Sequence, residues 1–327
     1  MSTVEKKNVW VGLDLGGTKM LAVVYDAKFT PLGRKRRRTK GTEGTDSVTN
    51  RMMRTVREAL VEAKIELDQV SGIGVGIPGP VDQEKGIVLE AVNLSWANVP
   101  LAKSIRDEFG CPVVVLNDVD AGVYGEYCFG AAKGALTALG IFPGTGIGGG
   151  CVYDGDILRG KRNSCMEIGH ISVTLDGQLC GCGLRGCLET EASRLAIAAE
   201  VAKAAFRGEA PTILKLAGTS IADIRSSMLA EAITAGDKVV ERIVRRAARI
   251  LGTAVASCVH LLCPDIIVLG GGLVEAMPEL YVESVATAAK KAVMPSFVDT
   301  FKIVAAKLGD DAGVLGCAAW AQKTFDA

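Results

Sequence analysis

VWVGLDLGGTKMLAVVYD, residues 9–26, contains two apolar runs joined by a Gly-Gly pair. Aliphatic and β-branched residues on both sides of the glycines predict two strands with a tight connection, hence a β-hairpin. A second stretch, FPGTGIGGGCVYDGD at 142–156, again places a Gly-Thr loop between two extended runs. This recurrence at domain spacing predicts an internal duplication.

Strands and helices are predicted to alternate along the rest of the chain. The predicted strands cover residues 32–39, 72–79, 112–118, the start of 265–272, and 301–305. The predicted helices cover 46–66, 101–109, most of 193–262 and the residues from 312 onward. Because glycine follows several strands and helices separate them, the pattern predicts an α/β protein built of two similar halves.

Composition narrows the function classes. The chain has 327 residues with 37 basic and 37 acidic side chains, so its formal net charge is zero. This balance argues against a nucleic-acid or anionic-membrane binder. The first residues lack the apolar core of a signal peptide, and no apolar run is long enough for a transmembrane helix. We therefore expect a cytoplasmic protein whose ten cysteines stay reduced.

Glycine-rich loops offer candidate phosphate sites. Residues 74–79 and 144–149 both match G-x-G-x-x-G. A dinucleotide site needs a helix directly after the loop, whereas a strand and a Pro-Gly pair follow here. We therefore favour hairpin loops that bind phosphate through backbone amides. Asp14 would hold hydrated Mg²⁺ beside the first loop, and Gly144, Thr145 and Gly146 would form the second; ordinary hairpin turns remain the alternative.

Three cysteines and a histidine form a candidate metal site. Cys180, Cys182 and Cys187 lie within eight positions, ten residues after His170. Three thiolates and one imidazole are a tetrahedral zinc set, and four protein ligands make such zinc structural. The alternative is a group of buried free thiols. Glu167 and Glu189 flank the cluster and would line one wall of a substrate site, unless they are solvated surface residues.

The ordered motifs of the chain resemble a known family. They are LDLGGTK at 13–19, GIPGP at 76–80, NLSW at 93–96, LNDVDA at 116–121, GTGIGGG at 144–150, EIGH at 167–170, CGCGLRGCLE at 180–189 and DIIVLGGG at 265–272. Together they resemble the ROK family (repressor, open reading frame, kinase) of sugar kinases, in particular its bacterial glucokinases. E-x-G-H followed by C-x-C-G-x-x-G-C-x-E is the specific part of the resemblance.

The resemblance implies an actin-like, hexokinase-type (ribonuclease H-like) fold of two α/β domains with the active site in the interdomain cleft. We expect a small domain at 1–120, joined by a C-terminal helix at about 309–327, and a large domain with the zinc motif at 121–308. Asp118 would be the general base. The sugar-binding set would be Asn93, Asn117, Asp118, Glu167, His170 and Glu189. The nucleotide set would be Asp14, Gly16, Gly17, Thr18, Lys19, Gly144, Thr145, Gly146, Gly271 and Gly272.

The implied reaction is ATP-dependent phosphorylation of the primary hydroxyl of a hexose, first of all glucose, with Mg²⁺ as catalytic cofactor and Zn²⁺ as structural ion. Fructose, mannose, allose and N-acetylhexosamine are alternative substrates. A sugar-sensing regulator is the less favoured alternative, because LDLGGTK begins at residue 13 and leaves no room for a preceding DNA-binding domain. Sugar and ATP are the expected partners, with neither nucleic acid nor membrane, in a homodimer or homotetramer.

Two features depart from the family or lie outside its motifs. Asp120 stands where family glucokinases often have Asn, and we expect its carboxylate to point away from Asp118, so that it leaves the pKa of that base unchanged. The run Arg34–Arg38 holds five consecutive basic residues. We interpret it as a solvated edge strand that charge protects from pairing; the alternative is an anion site for nucleic acid or for polyphosphate as phosphoryl donor.

Overall fold

The computed structural model describes residues 8–161 and 165–326. Residues 1–7, on which part of the signal-peptide argument rests, lie outside the described residues. The chain forms two compact units. Unit 1 comprises Met1–Gly134, Asp156–Cys165 and Asp310–Ala327, and unit 2 comprises Ala135–Gly155 and Met166–Gly309. The predicted domain division at residue 120 falls within helix α3 (Asp118–Phe129), and the first part of unit 1 ends at Gly134.

Unit 1 contains a five-stranded and a three-stranded sheet. The large sheet has the order β3-β2-β1-β4-β8 and the small one β5-β6-β7. Their strands are β1 (Val9–Leu15), β2 (Lys19–Tyr25), β3 (Pro31–Arg38), β4 (Val70–Ile77), β5 (Val81–Asp82), β6 (Ile87–Ala91), β7 (Trp96–Val99) and β8 (Val113–Asn117); β11 (Asp156–Ile157), later in the chain, is an edge strand of a second five-stranded sheet. The antiparallel pairing of β1 with β2 confirms the predicted hairpin, and β3 is confirmed as an edge strand.

The helices of unit 1 are α1 (Thr45–Ala63), α2 (Leu101–Phe109), α3 and α11 (Ala312–Phe325). Helix α1 is amphipathic: Val48, Met52 and Val56 are buried at a spacing of four residues, which places them on one face. The helix ends at Ala63, three residues before its predicted end, because Lys64 adopts a left-handed conformation with φ of 55°.

Unit 2 contains the second half of the predicted duplication. Its strands are β9 (Thr137–Pro143), β10 (Ile147–Tyr153), β12 (Ile266–Leu269) and β13 (Lys302–Ala305), and its helices are α4 (Leu188–Ala192), α5 (Arg194–Phe206), α6 (Pro211–Ala217), α7 (Ser226–Thr234), α8 (Lys238–Leu262), α9 (Gly272–Ala276) and α10 (Pro278–Ala292). Within residues 8–161 and 165–326, none of the helices is both long enough and apolar enough to cross a membrane.

The two units share one strand arrangement. In unit 1, β2 pairs antiparallel with β1, which is followed across the sheet by the parallel strands β4 and β8. In unit 2, β10 pairs antiparallel with β9, which is followed by the parallel strands β12 and β13. A hairpin beside two parallel strands therefore occurs twice, in agreement with the repeat seen in the sequence.

Helix α11 lies directly against the large sheet of unit 1. A side chain at Gly12 of β1 would start 1.9 Å from the carbonyl oxygen of Val314, and one at Gly74 of β4 would start 1.9 Å from that of Cys317. Both distances are far shorter than a nonbonded carbon–oxygen contact. Only glycine at these two strand positions lets the helix backbone approach the sheet so closely.

We predict that Gly74→Ala destabilises the fold, because its new methyl group would meet backbone that cannot rotate away. The free energy of unfolding should fall by about 1–3 kcal/mol, the usual cost of overpacking, and this should appear as a lower midpoint in urea. Gly17→Ala is the matched control, since no heavy atom lies within 4 Å of its added carbon. Equal midpoints for the two variants would contradict the close packing of α11.

Candidate active site and metal cluster

Three candidate residues meet at one edge of the large sheet in unit 1. Strands β1, β4 and β8 run parallel, so their carboxyl ends share an edge. Asp14 is aligned with Gly76, and Ile77 is aligned with Asn117, the residue before Asp118. A side chain at Gly76 would start 3.5 Å from the Asp14 Oδ1. Glycine in the middle strand therefore leaves space beside the carboxylate.

Asn117 and Asp118 form the junction between β8 and α3. Asn117 is the N-cap: its Oδ1 accepts hydrogen bonds from the amides of Val119 at 2.8 Å and Asp120 at 3.2 Å. Its Nδ2 donates to the carbonyl of Gly79 at 3.1 Å. The Oδ1 of Asp118 accepts from the Val119 amide at 2.9 Å. The cap fixes the start of α3 and with it the position of the Asp118 carboxylate.

The two partly buried carboxylates, Asp14 and Asp118, are held in an environment that disfavours their charge. Burial raises the pKa of Asp118 from 3.8 to about 6. Burial, and secondly the negative charge of Asp118, raises the pKa of Asp14 from 3.8 to about 7. Desolvation and like charge both favour the protonated form. A cation at this edge would stabilise both carboxylates, which fits Asp14 as a residue that holds Mg²⁺.

The first glycine loop connects β1 to β2. It is closed by a hydrogen bond from the Gly16 amide to the carbonyl of Lys19 at 2.9 Å. Gly17 and Thr18 are exposed at its tip, where their backbone amides can face a phosphate. The Nζ of Lys19 donates to both carboxylate oxygens of Asp310, at 2.8 and 2.9 Å. The structure therefore places Lys19 in an ion pair rather than leaving its ammonium free for a phosphate.

Asn93 is exposed in a short 3₁₀ turn, Val92–Leu94, which Ser95 ends with a φ of 55°. This turn packs on a second 3₁₀ turn at Gly41–Glu43, where a side chain on Gly41 would start 3.1 Å from the Asn93 carbonyl oxygen. Close backbone packing thus fixes the position of Asn93 in unit 1.

Two further glycine loops share an edge of the sheet in unit 2. Strands β9 and β12 are parallel, with Ile141 aligned with Leu269, so the loops that follow them leave the same edge. Residues 144–146 follow β9, and residues 270–272 follow β12. Gly271 has a φ of 81° and caps α9. Ligands of α/β proteins bind at the carboxyl ends of strands, which favours both loops as phosphate or nucleoside contacts.

The predicted metal ligands are brought together in unit 2. The ligand atoms of His170, Cys180, Cys182 and Cys187 all lie within 4.8 Å of one another. The His170 Nδ1 is 3.6 Å from the Cys180 Sγ, and the Sγ atoms of Cys182 and Cys187 are 3.6 Å apart. A tetrahedron with zinc–sulfur bonds of about 2.3 Å has edges of roughly 3.8 Å. The set is therefore of the right type and size for a zinc ion.

The backbone around the cluster is shaped by tight turns. The Cys180 amide donates to the carbonyl of Leu184 at 2.8 Å, which closes the loop that presents Cys180 and Cys182. Gly186 has a φ of 76°, and a side chain there would start 1.8 Å from the Thr174 carbonyl oxygen, so this position requires glycine. Burial raises the pKa of Cys187 to about 12, whereas a backbone hydrogen bond involving Leu184 lowers the pKa of Cys182.

Glu189 links the metal cluster to the second glycine loop. Its Oε2 accepts a hydrogen bond from the Ile147 amide at 2.9 Å, and its Oε1 lies 3.9 Å from the Cys180 Sγ. A side chain at Gly146 would start 2.2 Å from the same Oε2. Glu189 follows the N-cap Cys187 in α4, so the cluster fixes where the carboxylate reaches the loop. Glu167 is exposed and precedes the 3₁₀ turn that holds His170.

Arg194 is a candidate functional residue that the sequence analysis missed. Its Nη2 donates to the Thr145 Oγ1 at 3.0 Å, and its backbone amide donates to the Gly144 carbonyl at 2.9 Å. Burial, and secondly the charge of Arg225, lowers the pKa of Arg194. A guanidinium at a glycine loop is suited to phosphate. The signal in the sequence is a Ser-Arg pair that opens a helix, which gives no hint of a partner 49 positions away.

The carboxylate pair makes a prediction about stability. Because both pKa values are raised in the folded state, the pair destabilises the fold as pH rises from about 4 through about 7. Asp118→Asn should therefore raise the melting temperature at pH 8 by roughly 2–5 °C in metal-free buffer. The gain should vanish below pH 4, where the wild-type carboxylates are protonated. Asp68→Asn, at an exposed position, is the control; a pH-independent gain, or none, would argue against the partly buried charge pair.

Comparisons with known proteins place the chain in a family. The model of the ROK family matches residues 10–324. A glucokinase of Thermotoga maritima is 35% identical over 310 residues, which cover 94% of this chain and 95% of that protein. The structure of a ROK family glucokinase from Streptomyces griseus in complex with glucose and AMPPNP has a TM-score of 0.83 and 32% identity, covering 97% of this chain and 100% of that one.

A repressor is also among the relatives. The xylose repressor of Caldicellulosiruptor bescii is 27% identical over 309 residues, covering 94% of this chain and 77% of that protein.

The predicted two-domain, actin-like sugar kinase fold is confirmed by the likeness to the glucokinase structure. The chain therefore belongs to the ROK family, and it is a sugar kinase of that family.

Proposed function

We propose that the protein transfers the γ-phosphoryl group of ATP to the primary hydroxyl of glucose. The observation that carries this proposal is a partly buried carboxylate with a raised pKa, Asp118, at the carboxyl edge of the sheet in a chain that resembles glucokinases along nearly its whole length. The glucokinase structure with bound glucose and AMPPNP supports both the sugar and the nucleotide.

Asp118 is proposed as the general base. Phosphoryl transfer depends mainly on positioning the nucleophile and on neutralising charge. A carboxylate with a pKa of about 6 is unprotonated near neutral pH, yet basic enough to take the proton of a hydroxyl as that oxygen attacks phosphorus. We therefore expect kcat/KM to fall as the pH drops through about 6. The expectation that Asp120 leaves this pKa unchanged stays a prediction.

We propose that the sugar is bound by the side chains of Asn93, Asn117, Asp118, Glu167, His170 and Glu189. The Nδ1 of His170 faces the Cys180 Sγ, so its Nε2 is the nitrogen that can meet a sugar hydroxyl. His170 would thereby serve the metal and the sugar through different ring atoms.

ATP would be bound through glycine loops. We propose Gly16, Gly17, Thr18, Gly144, Thr145 and Gly146 for the phosphates; Arg194 is added because it contacts Thr145. Gly271 and Gly272 would lie against the nucleoside. Asp14 would hold Mg²⁺, which neutralises charge on the transferred phosphoryl group. Lys19 would contribute its positive charge from within its ion pair with Asp310.

A structural zinc ion would be held by His170, Cys180, Cys182 and Cys187. Its role would be to fix the loop that orients His170 and the N-terminus of α4, which carries Glu189. Four protein ligands leave no open position, so this ion would not activate water.

We predict that Cys182→Ser lowers bound zinc well below one ion per chain and lowers the melting temperature, because a hydroxyl is a poor replacement for a thiolate ligand. Elemental analysis and calorimetry measure the two effects. Cys263→Ser is the matched control, since Cys263 is an exposed free cysteine outside the cluster. The zinc proposal would be refuted by equal metal content and stability in the two variants.

Two alternatives share this fold. One is a kinase for another sugar, namely fructose, mannose, allose or an N-acetylhexosamine, because one changed hydroxyl contact can reorder preference. The other is a sugar-sensing regulator without kinase activity, which the xylose repressor relative keeps open. The partly buried base favours the kinase, since binding a sugar alone does not require a carboxylate with a raised pKa.

A coupled ADP-release assay over a panel of these sugars tests the proposal. We expect the highest kcat/KM with glucose, and a loss of at least about 10³-fold in kcat for Asp118→Asn with sugar binding retained, as expected when a general base is removed. A higher kcat/KM with another hexose would transfer the proposal to that sugar. Sugar binding without ADP release in the wild-type protein would favour the regulator.

A further inference from the structure

A basic pocket lies in unit 1, outside the residues proposed for sugar and ATP. It has a volume of about 430 Å³, and its cationic lining residues are Arg37, Arg38, Lys40, Arg51 and Arg54. Ser47 and Asn50 complete the lining, which includes no acidic residue. Ligand pockets commonly measure roughly 300–1,000 Å³. A concave site of this size suits a small anion rather than the extended backbone of a nucleic acid.

The positive charge around this basic pocket is only partly balanced. The ion pairs there are Arg37–Glu58 at 2.6 Å, Arg54–Glu58 at 2.9 Å, Lys35–Glu58 at 3.4 Å and Lys40–Glu43 at 3.2 Å, together with Arg51–Glu43. Two carboxylates, those of Glu43 and Glu58, therefore pair with five cationic side chains, and Arg38 adds a sixth cation. Clustered like charges attract a counter-anion.

Two arginine side chains that line the basic pocket contain buried donors without an acceptor. The Nε atoms of Arg37 and Arg51 are buried and have no hydrogen-bond partner among the residues that the structure describes. A buried donor without an acceptor costs free energy. Phosphate oxygens are acceptors that match the planar guanidinium group, often through two bonds at once.

The basic pocket is joined to the first glycine loop by one residue. Thr39 lies between Arg38 and Lys40; its amide donates to the Thr18 carbonyl at 2.9 Å, and its Oγ1 donates to the Gly16 carbonyl at 2.6 Å. Any shift of this segment on binding an anion would be transmitted to the loop proposed for the phosphates of ATP.

We propose that the basic pocket binds a compact phosphate compound carrying at least two negative charges, and that this binding is coupled to nucleotide affinity through Thr39. The coupling is reciprocal, so the nucleotide alters the affinity of the pocket by the same factor. The coupling, but not the binding site itself, rests on the proposed function.

Calorimetric titration of the full chain tests the binding. Inorganic tripolyphosphate, orthophosphate and a hexose 6-phosphate are titrated separately into protein saturated with Mg²⁺ and AMPPNP, so that the donor site is filled. We expect at least one of them to bind the wild type, and to bind Arg38→Gln/Arg51→Gln about tenfold or more weakly, from the loss of charged hydrogen bonds. The preferred compound distinguishes a polyphosphate chain, free phosphate and a sugar phosphate as the source of the anion.

Arg34→Gln/Arg57→Gln is the matched control. It also removes two positive charges, one from β3 and one from α1. These two arginines pair with Asp311 and Glu108 and do not line the pocket. The control should bind like the wild type. Equal binding by the two double variants, or no binding by the wild type, would overturn the site.

The coupling has its own measurement. The Kd of Mg-AMPPNP is determined with and without the preferred compound at constant free Mg²⁺. Competition at the donor site would change the Kd of Mg-AMPPNP in every variant. Coupling is therefore indicated only by a change in this Kd that the wild type shows and Arg38→Gln/Arg51→Gln does not. An identical response in that variant would overturn the coupling. Because both readouts are binding constants, they remain valid if the protein proves to phosphorylate no sugar.

Discussion

Desolvation of two partly buried carboxylates at one sheet edge is the constraint on which the candidate site of unit 1 depends. Asp14 and Asp118 lie at one sheet edge, on either side of β4; burial raises the pKa of both carboxyl groups, and the charge of Asp118 raises that of Asp14 further. Folding alone would favour an amide or an apolar residue at either position. The retained pair makes sense if a cation and a substrate hydroxyl offset the cost during the reaction, which fits the stability–activity trade-off of active sites.

In unit 2, the glycine loop at residues 144–146 is positioned by contacts with neighbouring residues. The glycine loops of this unit carry no strong charge, so their position must be set by neighbours. Glu189 does this by accepting from the Ile147 amide while lying close to Cys180 of the metal cluster. The proposed metal ligands, the carboxylate and the loop thus form one continuous set of contacts. Removing a cluster ligand would therefore loosen residues 144–146, the loop that we propose for phosphate.

The sequence predicted well those features that depend on residues close together in the chain. The two hairpins, the amphipathic α1 and the Cys-His cluster depend on residues close together in the chain, where periodicity and spacing carry the information. The sheet β5-β6-β7 was missed because its strands have only two to five residues, too few to show an alternating pattern.

Long-range contacts could not be predicted in the same way. Lys19 pairs with Asp310, 291 positions away, and Arg194 reaches Thr145 across 49 positions. No local pattern encodes such partners. The grouping of Asp156–Cys165 with unit 1 also depends on distant contacts, for example those of Asp156 with Lys323 and of Arg159 with Gln83.

The duplication explains how one arrangement can support two kinds of site. In both units a hairpin and two parallel strands direct their loops to one sheet edge, so the topology decides where a site forms. The residues at the strand ends decide its chemistry: Asp14 and Asp118 at the ends of β1 and β8, and glycines after β9 and β12. We propose that the edge with charged side chains moves a proton and that the edge with glycine loops holds an anion. The proposed reaction between a hydroxyl and a phosphate needs both properties, which two diverged copies can supply and two identical ones could not.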